Sequence, residues 1–425
     1  MEPMTTEKLT IYFVTNDWSG LHDAFEKEDW GLVAGVPLVP LYWKRLAEKG
    51  HNIHIFVTGN FSCDKDFVLE GIHFHRVRIP GYLAGAVKGR TIRTYLKVFW
   101  LLHTLKCIKK MKEEALVSPP DAVYSYGTGS NVAAWRISRK FRIPFLVHYW
   151  GTWLGHHLLK EPWYKRFRVL PQILMFKLPI DLLIISNDGT EGDRVVDKVG
   201  FPKEKFRFWL DGTAPDLYKP DLDKVSIKKS IGLLPEDKMI FQAARLDFWK
   251  RIDRTIAAMP NVIKEVPSAK LVVAGDGHLR KDLEEQAQKL GVADHVKFLG
   301  FVPHSRVLEL HNAADLFITV QDLTNLGNQI IEALHSRTCT IAYDIGGTRH
   351  VMQDGITGRL LNETQLQNLS GIMIDLLKDD GVREKMAEGA FQFARKNIWT
   401  WDQRIEAELD DLRRLVKNKQ EQRGL

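Results

Sequence analysis

Cysteine is scarce in this chain: three in 425 residues, Cys63, Cys107 and Cys339, far apart and with no Cys-x-x-Cys pair. That excludes a disulfide scaffold or a cysteine-built zinc framework and fits buried or inert thiols in a reducing compartment. Long apolar runs are missing too. No stretch approaches the ~20 residues that a spanning helix needs. The opening Met1–Lys8 lacks the basic region and apolar core of a secretion signal. The expected location is therefore the cytoplasm. Low-complexity tracts and short repeats are absent, as are helix-turn-helix, RNP and zinc-finger spacings, so nucleic acid is not an expected partner. No Asp-x-Asp sits at a predicted strand end. Neither a metal nor a cofactor is expected.

What is present is ordinary in composition and uneven in charge. With 44% hydrophobic and 27% charged residues the chain reads as globular, and its length suggests two domains. Residues 1–215 hold 30 Lys and Arg against 22 Asp and Glu, whereas the remainder holds 30 against 31. Within 71–180 the imbalance sharpens to 19 against 4. Basic residues there interleave with aromatic ones over 81–112 and 160–168, a pattern that suits an anionic membrane surface or a helix face snorkelling over its own core.

Strand-like segments recur at Leu9–Asn16, Ile53–Thr58, Ile72–Val77, Ala122–Tyr126, Phe145–Tyr149, Leu182–Ser186, Ile240–Ala243, Asp315–Val320 and from Thr340. Helical spacing lies between many of them, as in Val36–Lys49, Ile252–Val262 and Asn328–Ser336. This alternation predicts parallel sheets with helices on both faces. The turn-rich segment from Asp211 to Pro220 marks a link between domains, giving 1–213, 214–397 and a helical tail 398–425.

The most informative stretches are strand-to-helix turns, where open α/β sheets bind ligands. Arg245 and Lys250 stand in the first, after Ile240–Ala243, and two fixed cations there suit a diphosphate. The second runs through Thr324, Asn325, Leu326, Gly327 and Asn328. Gly327 allows a close backbone approach, and the helix start supplies N–H groups to an anion. Glu332 follows inside that helix, where a carboxylate can hold hydroxyls. Gly31 and Gly35 precede a helix in the first half and offer a second phosphate contact, though an ordinary helix start explains them as well. In Ile143–Gly151, His148 and Trp150 share one side of a strand.

Arg245…Lys250, Gly275-Asp276-Gly277, Phe298-Leu299-Gly300, Gly327…Glu332-Ala333, Gly346-Gly347 and Asp354-Gly355-Ile356-Thr357-Gly358 resemble, in order and spacing, the donor domain of glycosyltransferase family 4. The first half is similar more loosely, through Gly31…Gly35, Gly50-His51 and the strand before Trp150-Gly151. The resemblance implies an α/β chain of the GT-B fold. Two Rossmann-like doubly wound domains face across a cleft, and a C-terminal helix crosses back to the first. It also implies a retaining hexosyltransferase that moves a sugar from a nucleotide sugar to a hydroxyl acceptor, whether glycan, lipid-linked or small. Arg245 and Lys250 would stabilise the leaving diphosphate, with Gly277 in the donor domain, the base near Phe301 and Val302, and the ribose on Glu332. Family members often carry Glu where this chain has Thr324, and His where it has Trp150, so His148 is either the catalytic base in that histidine's stead or a buried structural histidine. A nucleotide-sugar epimerase and a non-catalytic nucleotide-sugar-binding subunit stay open beside the transferase. A peripheral position on the inner face of the membrane is expected from the basic region.

Overall fold

A computed structural model describes residues 8–17, 21–30, 38–79, 104–127, 129–152, 154–213, 219, 221–322 and 326–424. The chain divides into two compact units. The first comprises residues 1–186, 192–209 and 401–425, and the second 187–191 and 210–400.

The first unit is built on one sheet of eight strands. They are β1 (Thr10–Asn16), β2 (Asn52–Gly59), β3 (Phe67–Leu69), β4 (Ile72–Arg78), β5 (Ala122–Tyr126), β6 (Phe145–Tyr149), β7 (Leu182–Ser186) and β8 (Phe206–Trp209). Their order is β3-β4-β2-β1-β5-β6-β7-β8. Every pairing is parallel except β3 with β4, a short antiparallel edge that apolar patterning did not reveal. Strand side chains alternate between faces. Ile11 and Phe13 therefore enter one apolar cluster with Tyr42, Trp43 and Leu46. Tyr12 and Val14 enter another with Cys107, Met111, Ala133 and Ile137. Both strand faces are thus covered by helices, among them α1 (Leu38–Glu48) and α2 (Asn131–Phe141).

The second unit repeats the plan with β9 (Lys238–Ala243), β10 (Ala269–Ala274), β11 (Val296–Gly300), β12 (Leu316–Thr319), β13 (Thr340–Tyr343) and β14 (Arg359–Leu361). All are parallel, in the order β11-β10-β9-β12-β13-β14. Ile240 faces a core shared with Ile252, Ile256, Met259 and Val262 of α3 (Ile252–Glu265). Its neighbours Met239 and Phe241 face Leu310 and Ala313 of α4 (His304–Ala313). Fully burying one such side chain contributes roughly 1.5–3 kcal/mol. Two more helices matter below, α5 (Asn328–His335) and α6 (Trp401–Glu421).

The tail helix α6 belongs to the first unit. Trp401, Ile405, Leu409, Leu412 and Val416 recur at helical spacing and are buried in the same cluster as Phe13 and Tyr42. It also carries charge inward. Arg404 Nη1 donates to Glu408 Oε2 at 2.8 Å, and Tyr42 Oη donates to Glu408 Oε1 at 2.6 Å. The Arg404 guanidinium lies 4.4 Å over the Trp209 ring. Both members of the pair are essentially inaccessible, at 2% and 1%. Nearer the surface, Arg207 grips Asp411 through two nitrogens, at 2.7 and 3.0 Å. Of the three thiols, Cys63 is exposed and the other two are buried, which pushes both Cys107 and Cys339 up to about 12. No helix among the described residues is long and apolar enough to cross a membrane.

Burial alone would raise the Glu408 carboxyl, but the charges of Arg404 and His148 and the bonds from Tyr42 and Arg404 outweigh it and hold it below its usual range. A depressed carboxyl stabilises the fold above the unfolded pKa, ~4.3, and that contribution fades as pH falls through the folded value. Arg404→Met should cost about 3–5 kcal/mol, because it strands a buried carboxylate. Arg404→Met with Glu408→Leu should recover most of that loss and flatten the decline in stability below pH ~4. Urea unfolding of the three proteins between neutral and acid pH measures both effects.

Candidate functional site

In a parallel sheet all strands end at one edge, so the loops after β9 to β13 share that edge. The second sheet grows outward in both directions from the neighbours β9 and β12. That reversal is the topological switch point, where open sheets leave a crevice for a ligand. Arg245 and Lys250 follow β9, and Gly327 and Asn328 follow β12. The two loops are tied across the switch point. Asp322 N donates to Trp249 O at 2.9 Å, Lys250 Nζ to Gln321 Oε1 at 2.8 Å, and Arg251 Nη1 to Asp322 Oδ2 at 2.7 Å.

Arg245 is 65% exposed, its Nε bonded to Asp247 and its guanidinium 5.2 Å over the Trp249 ring. Asp247 is buried and holds His278 Nδ1 at 3.0 Å as well. Lys250 is more enclosed. Burial pulls its ammonium below the usual range, the charge of Arg245 adds to that, and Asp247 opposes it.

The glycines divide by role. A Cβ on Gly275 would stand 1.9 Å from Ala244 O, and one on Gly277 2.6 Å from Leu246 O. Their absence of side chains lets the arginine loop lie against the loop after β10, so the need for glycine at Gly277 is one of packing. Gly327 caps α5 at φ −70° and ψ 129°, an extended conformation open to any residue. Positive φ is thus not what selects glycine there. No side chain caps α5, and its first turn is free of acidic residues, so the helix start keeps N–H groups for an anion. Leu326 cannot join them. Its side chain is buried with Ile330 and Ile331, and its N–H is already donated to the Asp188 carbonyl. Thr324 and Asn325 lie outside the described residues, as do Gly31 and Gly35.

Beyond β11, Phe301 is 84% exposed while Val302 is half-buried against the β9–β12 core. Glu332, on α5, is not free. His304 Nε2 stands 2.8 Å from its Oε1, and Nε2 of the buried His311 lies 4.0 Å from its Oε2. The bond to Glu332 raises His304 above its usual range, against the opposing effect of burial, whereas burial pulls His311 down to about 4. The sequence reading missed Asp247, His278 and His304. The first two flank named site residues directly and could have been found by asking what balances Arg245.

His148, in the first unit, is 1% exposed. It stacks on Trp150 with centroids 4.3 Å apart and meets Tyr42 and Tyr126 edge-on. Neither ring nitrogen has a hydrogen-bond partner among the described residues, and Glu408 Oε1 is 3.9 Å away. Burial draws its pKa down to about 4. Of the two readings of His148, a buried ring with no polar partner among the described residues fits the structural histidine better than the catalytic base.

Residues 223–393 match the Glycosyl transferases group 1 family, and residues 39–206 match the Glycosyl transferase 4-like domain. With both of its domains present, the chain belongs to glycosyltransferase family 4 and is a glycosyltransferase of the GT-B fold. It is 28% identical over 367 residues to an uncharacterized glycosyltransferase of Methanocaldococcus jannaschii, covering 84% of this chain and 88% of that one. It is 28% identical over 369 residues to alpha-monoglucosyldiacylglycerol synthase of Streptococcus pneumoniae, covering 83% and 77%. Among solved structures, Anabaena HepE in complex with UDP aligns at a TM-score of 0.70 and 18% identity, covering 95% of this chain and 100% of that chain.

The raised pKa of His304 has a measurable sign. Its pairing with Glu332 stabilises the fold below the ordinary histidine value of ~6.5 and is lost as pH rises through the folded value. Histidine NMR titration should place His304 above ~6.5 in the native chain, and Glu332→Gln should bring it to or below that value, because burial then acts unopposed.

Proposed function

We propose that this enzyme moves a hexosyl unit from a nucleoside-diphosphate sugar to a hydroxyl acceptor, with retention of anomeric configuration. The observation that carries this reading is the pair Arg245 and Lys250 on one side of the switch point and the uncapped start of α5 on the other. As the glycosidic bond breaks, negative charge grows on the departing diphosphate. Preorganised cations and N–H groups stabilise that charge without having to reorganise. In this scheme they meet the diphosphate without a metal. An arriving anion would also offset the burial and the Arg245 charge that together lower Lys250. Anabaena HepE, which shares the fold, is in complex with UDP, and that supports a nucleotide donor for this chain. Phe301 and Val302 offer an exposed ring and backbone to the base, and Glu332, oriented by His304, accepts from the ribose hydroxyls. With His148 enclosed, the leaving phosphate oxygen takes the acceptor's proton as the acceptor oxygen bonds to the anomeric carbon on the face from which the diphosphate departs, and that same-face replacement retains the configuration.

The acceptor we propose lies on, or belongs to, an anionic lipid surface. The name of the pneumococcal relative gives it a diacylglycerol product. In this chain, the 3₁₀ helix Trp163–Val169 and the helix Leu170–Met175 after it present Trp163, Tyr164, Phe167, Leu170 and Leu174 to solvent. Trp163 is 76% and Phe167 61% exposed, with Arg166 and Arg168 on either side of Phe167. Large apolar side chains exposed together, with basic neighbours, fit the headgroup boundary of a bilayer. Residues 81–103 lie outside the described residues. In the helical stretch 104–114, Lys106 and Lys110 already have protein partners.

Arg245→Ala and Lys250→Ala should each slow turnover by ~100-fold, about 3 kcal/mol of transition-state stabilisation, at unchanged melting temperature. Activity with a panel of nucleotide sugars and NMR of the product's anomeric proton read rate and stereochemistry together; near-native rates in both variants would overturn the diphosphate assignment. For the lipid surface, sedimentation with vesicles rich in anionic lipid should fall with added salt and drop sharply in Trp163→Ser/Phe167→Ser. Equal sedimentation of variant and parent would remove the patch from the reading.

A further inference from the structure

The first unit holds a compact group of ionisable side chains that glycosyl transfer does not use. Strands β2 and β4 pair with His54 opposite His73 and Phe56 opposite His75, so His54 and His75 rise from one face of the sheet. Cys107 and Met111 from the helical stretch 104–114 are buried in the core on that face. Glu114 lies one turn beyond Met111 and so comes down over the two imidazoles. His54 Nδ1 stands 3.1 Å from His75 Nε2 and 3.4 Å from Glu114 Oε1. One ligand atom from each of the three residues lies within 4.8 Å of the others. In a tetrahedral zinc site with bonds of about 2.0–2.1 Å, neighbouring ligand atoms stand about 3.4 Å apart. Two of the three edges are already near that length, and closing the third draws the end of the helix inward.

Each imidazole is also held at its far nitrogen. His75 Nδ1 lies 2.9 Å from Asp66 Oδ2, and His54 Nε2 lies 3.1 Å from Ser118 Oγ, which accepts from Asn52 Nδ2 at 2.9 Å. With its Nδ1–H given to the aspartate, His75 turns a lone pair outward at Nε2. With its Nε2–H given to Ser118, His54 does the same at Nδ1. In these tautomers the two lone pairs face each other across 3.1 Å, in rings only 4° from parallel, so a metal ion would have to turn both rings toward the carboxylate. An oxygen behind each ligating imidazole, fixing tautomer and ring orientation, is the outer arrangement of metal-bound histidines. Both histidines are buried, while Glu114 at 23% and Asp66 at 42% exposure leave an entry path and a place for a water as fourth ligand.

We propose that His54, His75 and Glu114 bind a divalent transition metal, zinc by the match of two imidazoles and one carboxylate, with Asp66 and Ser118 orienting the ligands. The ion fastens the end of the helical stretch 104–114 to β2 and β4, so its role is to stabilise the first unit. It stands apart from the diphosphate chemistry proposed above, whose residues belong to the second unit. The competing account of the same atoms is a metal-free hydrogen-bonded chain from Ser118 through His54 and His75 to Asp66.

The full chain, stripped with chelator and equilibrated with Zn²⁺, decides between them. One zinc per chain by elemental analysis is expected, with only nitrogen and oxygen neighbours by X-ray absorption and a higher melting temperature than the stripped protein. Asp66→Asn leaves every ligand in place and should weaken zinc binding ~10–100-fold. Glu114→Gln, at a part-exposed helix end where folding is least at risk, should lose stoichiometric binding and the zinc-dependent rise in melting. Absence of stoichiometric zinc in the parent, sulfur in its coordination sphere, or unchanged affinity in both variants would overturn the site in favour of the hydrogen-bonded chain. Transfer activity measured in the stripped protein keeps this outcome separate from the fate of the diphosphate reading.

Discussion

Parallel strand pairing is the constraint from which the rest of this molecule follows. Strands that run the same way cannot be joined by tight turns, so each connection crosses a face of the sheet and each strand delivers its carboxyl end to the same edge. In the second unit that edge collects the loops after β9 and β12 at the one place where the connections part company. Arg245 and Lys250 owe their position to this geometry. They stand on short loops that the sheet cannot put elsewhere, and the bond of Lys250 to Gln321 spans the two neighbours on which the order turns.

The same geometry explains the division of labour among the small residues. Gly275 and Gly277 let two strand-end loops lie against each other, so they set how near the cation loop comes to its neighbour. Gly327 needs no unusual backbone angle. Specific chemistry at this edge rests on a few charged and polar side chains that other side chains hold still: Asp247 between Arg245 and His278, and Glu332 between His304 and His311.

Much of this was legible in the sequence, and the reasons differ by residue. β5, β6 and β7 were readable to the residue because each is a short, mostly apolar run, buried except at Tyr149 and bounded by polar or turn residues. The parallel arrangement followed from the alternation with helices. β3 and β14 were not readable, being three residues long and bearing no periodicity. His148 shows the limit for a site. Alternation put it on the same side as Trp150, which holds, but pattern alone does not say that α6 closes over that side. The cluster of His54, His75 and Glu114 escaped notice for a similar reason. Its members are 60 residues apart at the extremes, and only strand pairing brings them together.

The first unit is assembled from pieces at both ends of the chain, and its last piece, α6, carries the buried Arg404 and Glu408. That has a consequence for the order of events on the ribosome. At synthesis rates of about 5–20 residues per second, the second unit emerges and can close while the first, begun earlier, waits tens of seconds for its final helix. Until then the apolar cluster of Phe13, Tyr42 and Trp43 lacks the side chains that α6 adds, and Tyr42 has no carboxylate to meet. The nascent first unit is therefore the natural client of a holding chaperone, and a premature stop before Trp401 would damage the part of the protein made first.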